Sequence, residues 1–161
     1  MNVIEQELII MTLMYLLQMP RSIKEDRSEY FRPIQGNLRS VFTTLESVQF
    51  TARKLVKKGK GKIVFLSSMA GIITTPYIGP YAATKHAIEG MALTLKDELK
   101  EYGVQVATIN PGAYNTGFND RAAEEKWEWF DEEKNFTRAE GMKKQEKGLK
   151  NQFDPEDMIE R

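Results

Sequence analysis

Apolar positions fall into a regular order only in the middle of this chain. Val41, Phe42, Leu45, Val48, Ala52, Leu55 and Val56 recur every three or four residues, which predicts an amphipathic helix over 41–58. Lys57, Lys58 and Gly59 close it, with cations against the negative helix end and a glycine suited to the cap. The lysine-rich run 57–62 therefore reads as a solvated turn. Lys62–Ser67 (KIVFLS) is short, apolar and partly β-branched, and predicts a strand buried on both faces. Pro76 and Pro80 break the segment that follows. A second helix is predicted from about Tyr81 to Tyr102, with Ala87, Ile88, Met91, Leu95 and Leu99 as its apolar stripe. Gly103 stops it, and Val104–Ile109 (VQVATI) predicts the next strand. Strand, crossover helix, strand is a βαβ unit, so the fold class is α/β with a parallel sheet and flanking helices. Asn110-Pro111-Gly112 then turns the chain at the carboxyl edge of the sheet, where open α/β sheets hold ligands.

The two ends are less regular. Residues 1–40 carry one apolar run, Leu8–Leu17, and then a polar stretch with no sustained period. That run is too short to span a bilayer and reads as a buried strand or helix; Glu5 and Glu7 stand where a signal peptide would carry positive charge. Residues 119–161 are charged and interspersed with Trp127, Trp129, Phe130 and Phe136. Asp154-Pro155-Glu156-Asp157 has the form of a helix start, with an N-cap aspartate and a proline in the first turn.

Composition narrows the function. The 161 residues carry 41% hydrophobic and 29% charged side chains, near globular averages and enough for one modest domain. A formal net charge of zero argues against nucleic acid or an anionic membrane as partner. With no cysteine there are no disulfides, zinc–thiolate sites or thiol nucleophiles, and a cytoplasmic protein is the expectation. His86 is the only histidine, which removes multi-histidine metal sites and a Ser-His-Asp triad.

The candidate chemistry lies elsewhere. Tyr81 and Lys85 stand four apart on the second predicted helix, so both side chains share one face. A phenol of ordinary pKa, about 10, is a poor acid–base catalyst at neutral pH. An ammonium one turn away would stabilise the phenolate and bring it down. Ser68, 13 residues before Tyr81, ends the preceding strand, where its hydroxyl can hold a substrate carbonyl against the tyrosine. His86 points about 100° away from Lys85 around the helix and reads as a surface or structural residue. Ser68 is not set in a G-x-S-x-G elbow, so a hydrolase finds little support.

Three segments together, G-K-I-V-F-L-S-S-M-A-G at 61–71, P-Y-A-A-T-K-H-A at 80–87 and N-P-G-A-Y-N-T at 110–116, resemble the short-chain dehydrogenase/reductase family in sequence and mutual spacing. The resemblance runs from about residue 41 to the C-terminus. It implies a partial Rossmann-like fold and an NAD(P)-dependent oxidoreductase that interconverts an alcohol and a ketone or aldehyde. Tyr81 would be the general acid/base, Lys85 its tuner and a ligand of the nicotinamide ribose, and Ser68 the residue that orients the carbonyl. Pro111, Gly112 and Thr116 would line the cofactor, either NAD or NADP. The segment 119–161 would be the substrate lid, and helices 41–58 and 81–102 the faces of a homo-oligomer.

The chain also departs from the family. The dinucleotide loop is a glycine-rich turn after the first strand, yet the first glycine here is Gly36. The family's asparagine on the helix before the serine strand falls on Ser40 by ungapped alignment, or on Asn37 with three extra residues. Read one frame over, the codons for Met11–Pro20 permit D-V-D-V-L-L-S-N-A, similar to the family's fourth-strand motif D-V-L-x-N-N-A-G. Residues 1 to about 39 are thus expected to be a frameshifted reading of an ordinary member, a point the gene's other frames decide. A truncated, inactive remnant that binds no dinucleotide and at most self-associates is the second expectation.

Overall fold

The computed structural model describes residues 8–11, 31–133 and 138–156. In chain order they form strand β1 (Leu8–Met11), helix α1 (Phe31–Lys58), strand β2 (Gly61–Leu66), helix α2 (Gly79–Glu98), strand β3 (Val104–Ile109), helix α3 (Phe118–Trp129) and helix α4 (Ala139–Leu149). Short 3-10 turns lie at Met69–Gly71 and Lys100–Tyr102. The chain divides into two compact units, residues 1–110 and 111–161.

In the first unit the three strands pair in the order β1-β2-β3, all parallel, with Ile63 opposite both Ile9 and Val106. This is the parallel α/β arrangement that the pattern predicts. The apolar run from Leu8 supplies β1 over 8–11; Thr12–Leu17 lie outside the described residues, as does most of the proposed frameshifted segment.

β2 corrects one expectation. Ile63 and Phe65 are wholly buried, but Val64 and Leu66 on the opposite face are only half-buried. α1 and α2 pack on the same face of the sheet, so that face alone meets the core of Val48, Ala52, Leu55, Ile63, Phe65, Ile88, Ala92, Leu99, Val104 and Val106. Burying a Phe or Leu side chain in such a core contributes roughly 1.5–3 kcal/mol.

The helices are displaced from their predicted bounds for identifiable reasons. α1 begins at Phe31, ten residues before the apolar period does. Pro33 falls in its first turn, where the missing N–H is not needed. Its buried face is also rotated from the predicted stripe: Phe42 is 63% exposed, while Ser40 and Thr44 are buried. The Thr44 hydroxyl donates to the Ser40 carbonyl at 2.9 Å, which removes the penalty of burying it. In α2, Ala87 is exposed, and Ala82, Thr84 and Lys85 are buried beside Ile88 and Ala92. Pro80, read as a breaker, sits in the first turn of α2. Gly103 ends the following 3-10 turn in a left-handed conformation, φ 71°. A Cβ there would run into the Gly59 carbonyl, so the close approach of the two backbones requires the glycine at 103.

In the second unit α3 and α4 are joined through their side chains. Trp127 Nε1 donates to Glu146 Oε1 at 2.6 Å, and Lys126 Nζ lies 2.9 Å from the same oxygen. Trp127 meets Phe130 edge-on, their ring centroids 5.4 Å apart. Trp129's side chain and Phe136 lie outside the described residues. Asp154 Oδ1 accepts from the Glu156 N–H at 2.9 Å, the bond expected of an N-cap aspartate.

Candidate active site

The carboxyl end of β2 is where the chemistry gathers. Ser67 N–H still pairs with the Ile109 carbonyl at 2.8 Å, so the strands hold together up to this point. Ser68 then leaves in extended geometry and caps the 3-10 turn, its Oγ accepting from Ala70 N–H at 3.1 Å. The Ser68 carbonyl accepts from Gly71 N–H at 2.9 Å and from Asn110 Nδ2 at 3.2 Å. The segment returns through Tyr77, which takes a left-handed φ of 72°, into the first turn of α2.

The fold brings Ser68, Tyr81 and Lys85 into one cluster. The Ser68 and Tyr81 hydroxyls share a hydrogen bond. Lys85 Nζ lies 5.7 Å from the centroid of the Tyr81 ring and donates to the Leu66 carbonyl at 3.3 Å. Lys85 is 5% exposed, an uncommon degree of burial for an ammonium.

The surroundings of Tyr81 act mainly through burial. Burial pushes its hydroxyl above the usual phenol value, and the hydrogen bond from Ser68 opposes that rise. Lys85 lies beside the ring, 5.7 Å from its centroid. Its own affinity for a proton is lowered by burial, with the Glu89 carboxylate pulling the other way. Desolvation is the largest influence on each group and acts against both charged forms.

His86 is exposed, its Nδ1–H donating to the Ala82 carbonyl at 2.9 Å, a local helix contact. Ser40 is on the buried face of α1 at 6% exposed; the side chain of Asn37, one turn earlier, lies outside the described residues. Pro111, Gly112 and Thr116 belong to the second unit. There the chain is held by Asn115 N–H to the Phe153 carbonyl, 2.9 Å, and Phe153 N–H to the Ala113 carbonyl, 2.8 Å. Gly112 has open space where a Cβ would stand, so nothing within that unit requires a glycine. Sequence reasoning missed Glu89 and Asn110 as a pair: Asn110 Nδ2 lies 2.6 Å from Glu89 Oε1. They are 21 residues apart, and only the βαβ topology makes them neighbours.

The residues that meet here fit one end of a nicotinamide dinucleotide. A half-buried phenol beside an ammonium and a second hydroxyl suits a reacting carbinol and a ribose. Among the described residues the pyrophosphate end finds no such fit, since Gly36 is inside α1 rather than in a strand-to-helix turn.

A parallel α/β sheet with polar residues gathered at its carboxyl edge is the open α/β arrangement, whose ligands lie beyond the strand ends. The model of the short chain dehydrogenase family matches residues 18–127, and the chain belongs to that family. It is 39% identical over 77 residues to the NADPH-dependent 3-dehydrocapnine reductase of Ornithobacterium rhinotracheale, covering 48% of this chain and 27% of that protein. To the diacetyl reductase [(S)-acetoin forming] of Staphylococcus epidermidis it is 38% identical over 87 residues, 53% of this chain and 34% of the relative. Among solved structures, a gluconate 5-dehydrogenase from Burkholderia cenocepacia in complex with NADP and tartrate superposes with a TM-score of 0.52 at 28% identity. That match covers 71% of this chain and 44% of the other. The alignments to the two reductases thus span about a third or less of each relative's length.

Proposed function

We propose that this chain carries the acid–base centre of an NAD(P)-dependent oxidoreductase that interconverts a small alcohol and its ketone or aldehyde. The convergence of Ser68, Tyr81 and Lys85 at the end of β2 carries the reading. Relatives named as reductases and a neighbour solved with NADP support it.

In the reducing direction the Ser68 hydroxyl donates to the substrate carbonyl oxygen and holds it beside Tyr81. The Tyr81 hydroxyl, kept protonated by burial, gives its proton to that oxygen as charge builds on it. Lys85 places a positive charge next to the phenolate left behind. A bound nicotinamide would supply the hydride, with Tyr81 and Lys85 at its ribose and Pro111, Gly112 and Thr116 along it. Residues 41–161 are the catalytic half of the domain, with 119–161 its substrate-lid and C-terminal region. Self-association uses the helical segments 41–58 and 81–102.

The test is carbonyl reduction by the 161-residue chain at millimolar NADH or NADPH over a panel of small ketones and aldehydes. Tyr81→Phe should reduce turnover at least ~100-fold; equal rates in both proteins would refute the assignment. Gly36 within α1, rather than in a strand-to-helix turn, favours a second reading, a chain that binds no dinucleotide by itself. Calorimetric titration decides it: no heat at micromolar concentration supports that reading, and micromolar affinity for either nucleotide removes it.

A further inference from the structure

The Ser68 corner is held by a pair of residues that takes no direct part in the reaction above. Asn110, the first residue after β3, directs Nδ2 at two acceptors, the Ser68 carbonyl at 3.2 Å and Glu89 Oε1 at 2.6 Å. A carbonyl and a carboxylate can only accept, so the amide nitrogen, which has two N–H donors, must face them. The longer bond goes to the catalytic strand end and the shorter, charge-assisted one to α2.

The corner leaves Glu89 little freedom. A Cβ on Gly71 would stand 2.8 Å from Ser67 Oγ, 3.0 Å from the Lys85 carbonyl and 3.1 Å from Glu89 Cγ. Only a glycine at 71 lets the 3-10 turn close against this part of α2. Glu89 therefore lies one helical turn beyond Lys85, against the same turn that Ser68 caps.

We infer that Glu89 and Asn110 are positioning residues: the carboxylate anchors the asparagine amide, and the amide fixes the Ser68 backbone so that its hydroxyl faces Tyr81. The inference rests on the catalytic reading of that cluster but is tested without turnover. Loss of either member frees the Ser68 carbonyl from α2 and weakens the hydroxyl bond that stabilises the Tyr81 phenolate. Glu89 also has an electrostatic role toward Lys85, raising its affinity for a proton. The two roles separate in Glu89→Gln, which keeps an acceptor for Asn110 and discards the charge.

The experiment follows the 13Cζ resonance of Tyr81 against pH in the full 161-residue chain, assigned by its loss in Tyr81→Phe. The 13Cε resonance of Lys85 is read in parallel. Asn110→Ala and Glu89→Ala should raise the Tyr81 midpoint by roughly half to one pH unit, the size of one lost hydrogen bond. Glu89→Gln should leave Tyr81 where it was and lower the midpoint of Lys85. Amide spectra report whether each variant keeps its fold, and if Asn110→Ala does not, Glu89→Ala decides. An unchanged Tyr81 midpoint in a folded alanine variant overturns the proposal, as does a Glu89→Gln shift equal to that of Glu89→Ala. Absence of turnover in the ketone assay would count against the oxidoreductase reading and leave this result standing.

Discussion

Tyr81 and Lys85 are both pushed toward neutrality by burial, and that has consequences for rate and for stability. In the proposed reaction, alcohol oxidation needs the phenolate, whose formation is shifted above the ordinary phenol value. Its rate should therefore climb with pH and show no plateau below about 10. Carbonyl reduction uses the protonated phenol and should be flat across the same range. Initial rates against pH in both directions check the pair, and Ser68→Ala should move the oxidation profile further up. Lys85 has the opposite sign of shift. Its folded-state pKa is depressed, so protonation costs stability below that value, and the cost fades as pH rises toward the unfolded value near ~10.5. Lys85→Met should accordingly raise the denaturation midpoint at pH 7, with a gain that shrinks in alkali. The motif that contains these residues was legible in the sequence. The direction of the Tyr81 shift was not, because four-residue spacing gives proximity of charges and says nothing of desolvation.

At the level of elements, periodicity located β2, α2 and β3 closely because each has an apolar face that the sheet or core absorbs. It placed the start of α1 ten residues late and chose the wrong edge of its stripe. Ser40 and Thr44 look polar in the sequence, yet a hydroxyl bonded to the helix's own carbonyl can be buried at little cost. Leu55 has 1% exposure in the core, and Leu55→Ala should lower stability by about 2–5 kcal/mol in chemical denaturation. Gly103→Ala should cost more than ~1 kcal/mol for its left-handed backbone alone, with the Gly59 carbonyl adding to it. In the second unit, Trp127→Phe removes the donor to Glu146. Amide exchange in α3 and α4 should quicken as a result, with little change in α1 or α2.

At the scale of the molecule, Phe42, Phe50 and Leu93 stand 62–63% exposed on α1 and α2, apolar surface that solvent does not favour. If self-association uses these faces, Phe42→Glu with Leu93→Glu should lower the sedimentation coefficient, and an unchanged value would exclude them. What the sequence determined by itself is the α/β class and the family, and it singled out Ser68, Tyr81 and Lys85 as the candidates proposed above. Those follow from local periods and short motifs, which need only neighbours in the chain. The tertiary structure alone decided which face of β2 is covered, how deeply Lys85 is buried, and that Glu89 meets Asn110 across 21 residues. Burial and long-range hydrogen bonds depend on which elements pack together, a property that no single segment carries.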